Sequence, residues 1–215
     1  MDRYQAERER MVKLQIAGHG IKDEGVLSAM RKVPRHLFVP DGARDYAYVD
    51  SPVRIGSGQT ISQPFIVALM TELLDVKSTH KVLDVGTGSG YQAAILGELA
   101  GEVHSIERHP ELAKSATEQL AALGYENIHV HVGDGTLGYP PDAPYDRIVV
   151  AAAAPTVPEP LLRQLALNGR LVIPVGRRYS QQLEVWERQG EDDFDKKSNI
   201  PVVFVPLIGE AGWEE

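Results

Sequence analysis

The chain contains no cysteine, which excludes disulfides, thiolate metal sites and cysteine nucleophiles, and leaves redox compartment unmarked by residue usage. It has no basic excess. Lys and Arg number 22 against 30 Asp and Glu, for a formal charge of −8 and a pI near 5.4, whereas a general nucleic-acid binder needs a basic face for phosphates. No apolar run approaches the ~18 residues of a membrane span. The first twenty residues are charged rather than signal-like. No G-x-S-x-G elbow presents a serine as an acyl nucleophile. Seven histidines are scattered along the chain. Only His129 and His131 share a strand face, and with no third ligand in the nearby sequence no metal centre is expected. Repeats and low-complexity segments are absent. These features predict a soluble, cytoplasmic monomer with neither nucleic acid nor membrane as partner.

What is present is an alternation of short apolar strands and helices. The 215 residues suit one α/β domain. Its expected parts are N-terminal helices and an active-site loop (1–60), a cofactor-binding core (61–176) and C-terminal antiparallel strands (177–215). Helices are predicted over Gln5 to Ala17 and Asp23 to Lys32, with Leu14 and Ile16 giving the first its apolar contacts, as a cover on the sheet. A loop over Asp41 to Gln59 leads to a helix over about Gln63 to Leu74. From Lys81 to Val175 the alternation implies a parallel sheet covered on both faces. The tail reads as strands Gln182 to Glu187 and Val202 to Leu207, joined by an acidic turn region from Arg188 to Pro201.

Residues 81–91, KVLDVGTGSGY, are the most informative stretch. A strand running into Gly86, Gly88 and Gly90 and then a helix lets backbone N–H groups approach a nucleotide closely. A dinucleotide fingerprint requires a third glycine where this chain has Tyr91. Glu107 ends the next strand pattern, where an acidic side chain accepts hydrogen bonds from both hydroxyls of a ribose; a solvated strand-end glutamate is the alternative. Asp134 follows the strand Asn127 to Val132, placed either to bond an adenine amine or to close an Asp-Gly turn. Ser62, just before the Gln63-Pro64 helix start, reads locally as an N-cap, and Thr60 with Gln63 has capping-box spacing.

The ordered series DVGTGSGY, Ile106-Glu107, Gly133-Asp134-Gly135 and YDRIVVAAAAP (145–155) resembles the S-adenosylmethionine-dependent methyltransferases. IGSGQTISQP (55–64), with GRLVIPVG (169–176) and FVPLIGEAGW (204–213), narrows the resemblance to the protein L-isoaspartate O-methyltransferase family. It covers nearly the whole chain, from Pro34 to Trp213.

The resemblance implies a doubly wound, mostly parallel seven-stranded sheet with an antiparallel C-terminal strand pair. It implies methyl transfer to the α-carboxylate of L-isoaspartyl residues in damaged proteins and peptides, which starts repair through a succinimide. It makes Ser62 the catalytic serine rather than a cap. Cofactor contacts fall to Gln59, Thr60, Ile61, Gly86, Thr87, Gly88 and Ser89, with Glu107 on the ribose, Asp134 and Gly135 on the adenine, and Asp84 ordering the loop and reaching the amino group. Thr60, Ser62 and the backbone of Val205 and Leu207 would meet the peptide. The rivals are a methyltransferase of another acceptor, opposed by IGSGQTISQP; a non-catalytic binding protein, opposed by intact Thr60 and Ser62; and a nicotinamide dehydrogenase, opposed by Tyr91.

Overall fold

A computed structural model describes residues 3–214. Helix α1 (Arg3–Met11) passes into a π-helical turn (Val12–Ile16) and a 3-10 turn (Ala17–His19). The single α-helix expected through Ala17 is therefore interrupted, and a π turn rotates the side chains that follow it. Met11, Val12 and Ile16 are buried, while Leu14, expected to pack, is 52% exposed. Helix α2 (Glu24–Lys32) starts at Asp23, whose carboxylate accepts from the Val26 N–H at 2.8 Å. These helices pack on α3 (Pro64–Leu74) and α4 (Tyr91–Gly97), so they form an outer layer on helices and not the expected cover on strands. Tyr91 explains the arrangement. It is 1% exposed, its hydroxyl lies 3.7 Å from Met30 Sδ, and its ring lies under the Arg35 guanidinium at 4.8 Å.

The main sheet contains β3 (Lys81–Val85), β4 (Glu102–Glu107), β5 (Ile128–Val132), β6 (Tyr145–Val150), β7 (Leu165–Arg177), β8 (Ser180–Arg188) and β9 (Phe194–Val202), following a small hairpin of β1 (Val53–Gly56) and β2 (Gln59–Ile61). The sheet order is β5-β4-β3-β6-β7-β8-β9. The first five strands are parallel and the last two antiparallel, as the resemblance implies. Alternate residues face opposite layers. Val82, Val103, Val149 and Val172 pack under α3 and α4. Leu83, Val85, Ile148 and Leu171 pack on the other side with Leu161 of the short helix Glu159–Arg163. Chain direction across the sheet reverses between β3 and β6, which opens a crevice at their carboxyl ends.

One strand is misplaced by the sequence reading. The last strand is Phe194–Val202, within the stretch read as an acidic turn, whereas 203–207 lies outside the sheet. Charge does not prevent a strand at a sheet edge. Here Lys196 pairs with Glu184 at 2.5 Å and Lys197 with Glu187 at 3.0 Å across β8, as oppositely charged cross-strand neighbours do.

Strand β7 carries an irregularity between its pairings at Leu165 and Arg170, with Asn168 at φ 61°. A Cβ on Gly169 would lie 2.7 Å from Ala166 O and 3.2 Å from Asp146 O. Backbone atoms of a sheet cannot swing aside, so Gly169→Ala should cost about 1–3 kcal/mol in urea unfolding. Asn168→Gly, which relieves a left-handed residue, should be neutral or mildly stabilising. Equal stability of Gly169→Ala and the parent would show that this bulge has slack.

Candidate functional site

At the carboxyl end of β3 the chain turns through Gly86, Gly88 and Gly90 at φ 94°, 54° and 87°, a conformation costly for any residue with a Cβ. Gly86 N–H donates to Ile106 O at 2.9 Å, pinning the turn to β4. Behind it runs a buried polar chain. Thr87 Oγ1 lies 2.6 Å from Ser105 Oγ, and Ser105 Oγ donates to Asp84 Oδ2 at 2.7 Å. Asp84 is fully buried and its Oδ1 has no hydrogen-bond partner among the described residues. Burial, opposed by the Ser105 hydrogen bond and reinforced by the charge of Glu107, pushes its carboxyl up to about 7. Glu107 is also buried but well supplied: it accepts from Gly88 N–H at 2.8 Å and His109 N–H at 3.0 Å.

The β1–β2 hairpin lies over this turn, with Ile55 Cδ1 3.3 Å from where a Gly88 Cβ would be. Its two-residue loop, Ser57 and Gly58, has positive φ at both positions, the type I′ geometry that matches strand twist. The sequence reading treated this segment as loop, although Ser-Gly between short extended runs is a hairpin signal. The hairpin delivers Gln59, Thr60 and Ile61, and Ser62 follows.

Neither capping reading of this segment holds. Thr60 is in β2, and the α3 N-cap is Gln63, with no side-chain cap of its own. The first-turn N–H of Phe65 donates instead to Asp50 Oδ1 at 2.9 Å. Among the described residues no hydrogen bond engages the Ser62 hydroxyl, while Ser62 O accepts from Arg35 Nη2 at 2.7 Å.

The opposite wall is the extended segment 203–208. Ala153 N–H donates to Val205 O at 2.8 Å, and Leu207 N–H donates to Ala153 O at 2.8 Å. Two backbone groups expected to meet a peptide are thus already paired. Trp213 closes the segment, its N–H donating to Leu207 O at 2.8 Å and its Nε1–H to Ala153 O at 3.0 Å.

Two cavities lie between these walls. The inner one is lined by Gln59, Thr60, Ile61 and Ser62, by Gly86, Thr87, Gly88 and Ser89, by Glu107 and Gly135, and by Val205 and Leu207. Twelve of the fourteen residues singled out from the sequence therefore meet in one cleft. The other two do not line it. Asp84 lies behind the turn. Asp134 Oδ1 accepts from Thr136 N–H at 2.8 Å and from the Thr136 hydroxyl at 2.7 Å, and its Oδ2 from Glu210 N–H at 2.8 Å. The local turn, one of the two readings open for Asp134, is the one its side chain adopts here. The outer cavity, about 990 Å³, runs along Phe65, Ile66, Tyr179 and Phe204. Thr60, Ser62, Ala151, Val205 and Pro206 line both cavities. Sequence reasoning missed Arg108 and His109, which line the inner cavity just past Glu107, and the outer-cavity residues Phe65, Ile66, Tyr179 and Phe204. For Arg108 and His109 a signal existed, since they follow directly on a strand's carboxyl end.

Comparison with known proteins agrees with this geometry. Residues 6–212 match the family model described as Protein-L-isoaspartate(D-aspartate) O-methyltransferase. The chain is 57% identical over 212 residues to a protein-L-isoaspartate O-methyltransferase of Methanoculleus marisnigri, covering 97% of this chain and 94% of the relative. It is 53% identical to protein-L-isoaspartate O-methyltransferase 1 of Syntrophobacter fumaroxidans over the full length of both. Among solved structures, one of a protein-L-isoaspartate O-methyltransferase superposes with a TM-score of 0.85 at 27% identity, over 95% of this chain and 67% of the other. A structure from Plasmodium falciparum assigned to the same enzymes, in complex with S-adenosyl-L-homocysteine, superposes with a TM-score of 0.79 at 27% identity, over 97% and 99% of the two chains. The glycine turn, the serine hairpin and the closing C-terminal segment thus stand in a chain that belongs to the protein-L-isoaspartate(D-aspartate) O-methyltransferase family.

Proposed function

We infer that the inner cavity takes S-adenosylmethionine and the outer one an isoaspartyl peptide, and that the methyl group passes between them to the α-carboxylate of the L-isoaspartyl residue. The observation that carries this reading is the shared wall: Thr60, Ser62, Ala151, Val205 and Pro206 belong to both cavities, so two ligands can touch only there. Bound in the inner cavity, the sulfonium supplies an activated methyl group.

The chain's own residues fit such a ligand. The unpartnered Oδ1 of buried Asp84 is a ready acceptor for a cationic amino group, directly or through one water, which would offset its isolation. Glu107 keeps acceptor capacity beyond its two backbone N–H donors, enough for ribose hydroxyls. Gly135 lets this part of the cleft wall pack directly on β3, since a Cβ there would lie 2.6 Å from Val85 Cγ1.

The acceptor carboxylate is ionised at neutral pH, with ordinary carboxyl pKa values of about 3 to 4. No general base is required. The residues' task is alignment, which contributes ~7–11 kcal/mol in favourable cases. Ser62, its hydroxyl not committed to a cap, donates to the acceptor carboxylate and positions it, and does not act as a covalent nucleophile. Thr60 flanks it. With the Val205 carbonyl and Leu207 N–H turned to Ala153, alternation turns the Pro206 carbonyl to the other edge, and main-chain recognition there tolerates varied flanking sequence. The ester formed would close to a succinimide that reopens partly to aspartate. No helix among the described residues is long and apolar enough to cross a membrane, and we place the reaction in the cytoplasm, carried out by a monomer.

The deciding assay offers labelled S-adenosylmethionine with paired peptides carrying L-isoaspartate or L-aspartate at one position. Label should enter only the isoaspartyl peptide, and equal labelling would overturn the acceptor assignment.

Because Ser62 caps nothing, Ser62→Ala should leave stability near that of the parent. Its kcat should fall at least about tenfold, the ~1.4 kcal/mol of one hydrogen bond at the transition state, with unchanged affinity for S-adenosylhomocysteine. A folded variant with normal kcat would remove Ser62 from catalysis.

Asp84 generates a pH prediction. Its carboxyl, raised to about 7 in the free protein, is partly protonated near pH 6.5. A cation brought beside it lowers that pKa, so S-adenosylhomocysteine should release protons on binding between about pH 6 and 7 and bind more tightly as pH rises through this window. Calorimetry in buffers of different ionisation enthalpy measures the release, which Asp84→Asn should abolish. Release that persists in this variant would assign the proton to another group.

A further inference from the structure

Away from the cleft, the histidines that appeared unconnected in sequence converge at the sheet edge. His104 of β4 and His131 of β5 meet beneath the turn Pro140–Asp142. His104 Nδ1 lies 3.1 Å from His131 Nε2 and 3.4 Å from Asp142 Oδ2, and the three ligand atoms all fall within 4.8 Å of one another. The rings are held in place: Tyr139 stacks on His131 at 3.7 Å, and Tyr145 meets His104 edge-on at 5.8 Å. The His104 side chain is 5% exposed, and its outer nitrogen, Nε2, has no hydrogen-bond partner in the described structure although Glu102 Oε1 lies 3.4 Å away. Burial lowers the pKa of both imidazoles.

A tetrahedral ion with bonds of about 2.0–2.2 Å to nitrogen and oxygen holds its ligand atoms about 3.3–3.5 Å apart. Two of the three edges, 3.1 and 3.4 Å, lie near this value, and the third, within 4.8 Å, closes with side-chain adjustment. We propose that His104 Nδ1, His131 Nε2 and Asp142 bind one borderline divalent transition ion, with zinc the best match, and with solvent as fourth ligand on the side where Asp142 is open. Imidazole and carboxylate together suit zinc over magnesium or calcium, which prefer oxygen alone. For the two facing nitrogens to bind a metal, the one proton between them must shift to the outer nitrogen of the ring that carries it, leaving both rings protonated only on their outer sides. His104 Nε2–H then points at the Glu102 carboxylate, the usual support of a metal-bound histidine, and the unpartnered atom gains its acceptor.

The site clamps the turn at Asp142 to β4 and β5. His104 precedes Glu107 by three residues, about 10 Å along an extended strand, and does not line the cleft. The third ligand escaped the sequence reading because Asp142 comes from a separate turn and His104 from a neighbouring strand.

The test uses the full chain stripped with EDTA and dialysed, then titrated with zinc chloride against a chromophoric chelator, and with cobalt chloride to record a tetrahedral ligand-field spectrum. One equivalent should bind, with a rise in thermal midpoint. Asp142→Asn and His131→Gln should each weaken zinc binding at least about tenfold and abolish that rise, while His129→Gln binds as the parent does. Methylation of an isoaspartyl peptide should be unchanged throughout. Asp142 is a half-exposed turn residue, so its variant keeps the fold, and retained S-adenosylhomocysteine binding checks this. No saturable binding by the parent, or undiminished binding by both Asp142→Asn and His131→Gln, would overturn the assignment.

Discussion

The site depends on a buried cation. Arg35 is fully buried; it donates from Nε to Ala47 O and from Nη2 to Ser62 O, both at 2.7 Å, with its guanidinium over the Tyr91 ring. Four segments remote in sequence thereby share one group: the turn after α2, the loop before β1, the exit of the β1–β2 hairpin and the start of α4. A guanidinium removed from water is costly, and its third nitrogen, Nη1, has no hydrogen-bond partner among the described residues, so the two carbonyls it does engage carry its compensation and are held in place. The Ser62 backbone is one of these, which is how a residue on a connecting segment obtains the rigidity of a core position.

Three carboxylates near the glycine turn show how environment assigns roles to similar side chains. Asp84 has one hydroxyl donor and an empty oxygen, and burial makes it reluctant to ionise. Glu107 receives two backbone N–H groups and anchors Gly88, ordering the turn from the neighbouring strand. Asp134 is tied to Thr136 and Glu210, so it links the β5 loop to the C-terminal segment. A Gly209 Cβ would lie 2.0 Å from Asp134 Oδ1, so that glycine is what admits the link.

Much of this was legible in the sequence, for physical reasons that can be named. The parallel core was clear because strands buried on both faces read as apolar runs, as in Lys81–Val85 and Tyr145–Val150. The glycine turn and the place of Glu107 at the cleft were legible because positive φ calls for glycine and the carboxyl end of a parallel strand faces the crevice. The β1–β2 hairpin was missed because three- and four-residue strands carry almost no periodicity. The last strand was misplaced because an edge stabilised by Lys196–Glu184 and Lys197–Glu187 pairs looks like a solvated turn until its partner strand is known. The role of Asp50 as the cap of α3, 15 residues from Phe65, and the meeting of His104, His131 and Asp142 belong to tertiary structure. No local pattern encodes them.

The shared wall between the cavities joins Ser62, from the first third of the chain, to Val205 and Pro206, from its end. Bringing segments this distant in sequence to one wall requires a large loop closure, which favours its formation after the local contacts of the intervening sheet. The parallel core could assemble a nucleotide-shaped turn early, but a chain at that stage would have one wall and nothing across from it. A copy of this protein that lacks the second wall is therefore silent and cannot methylate its neighbours indiscriminately.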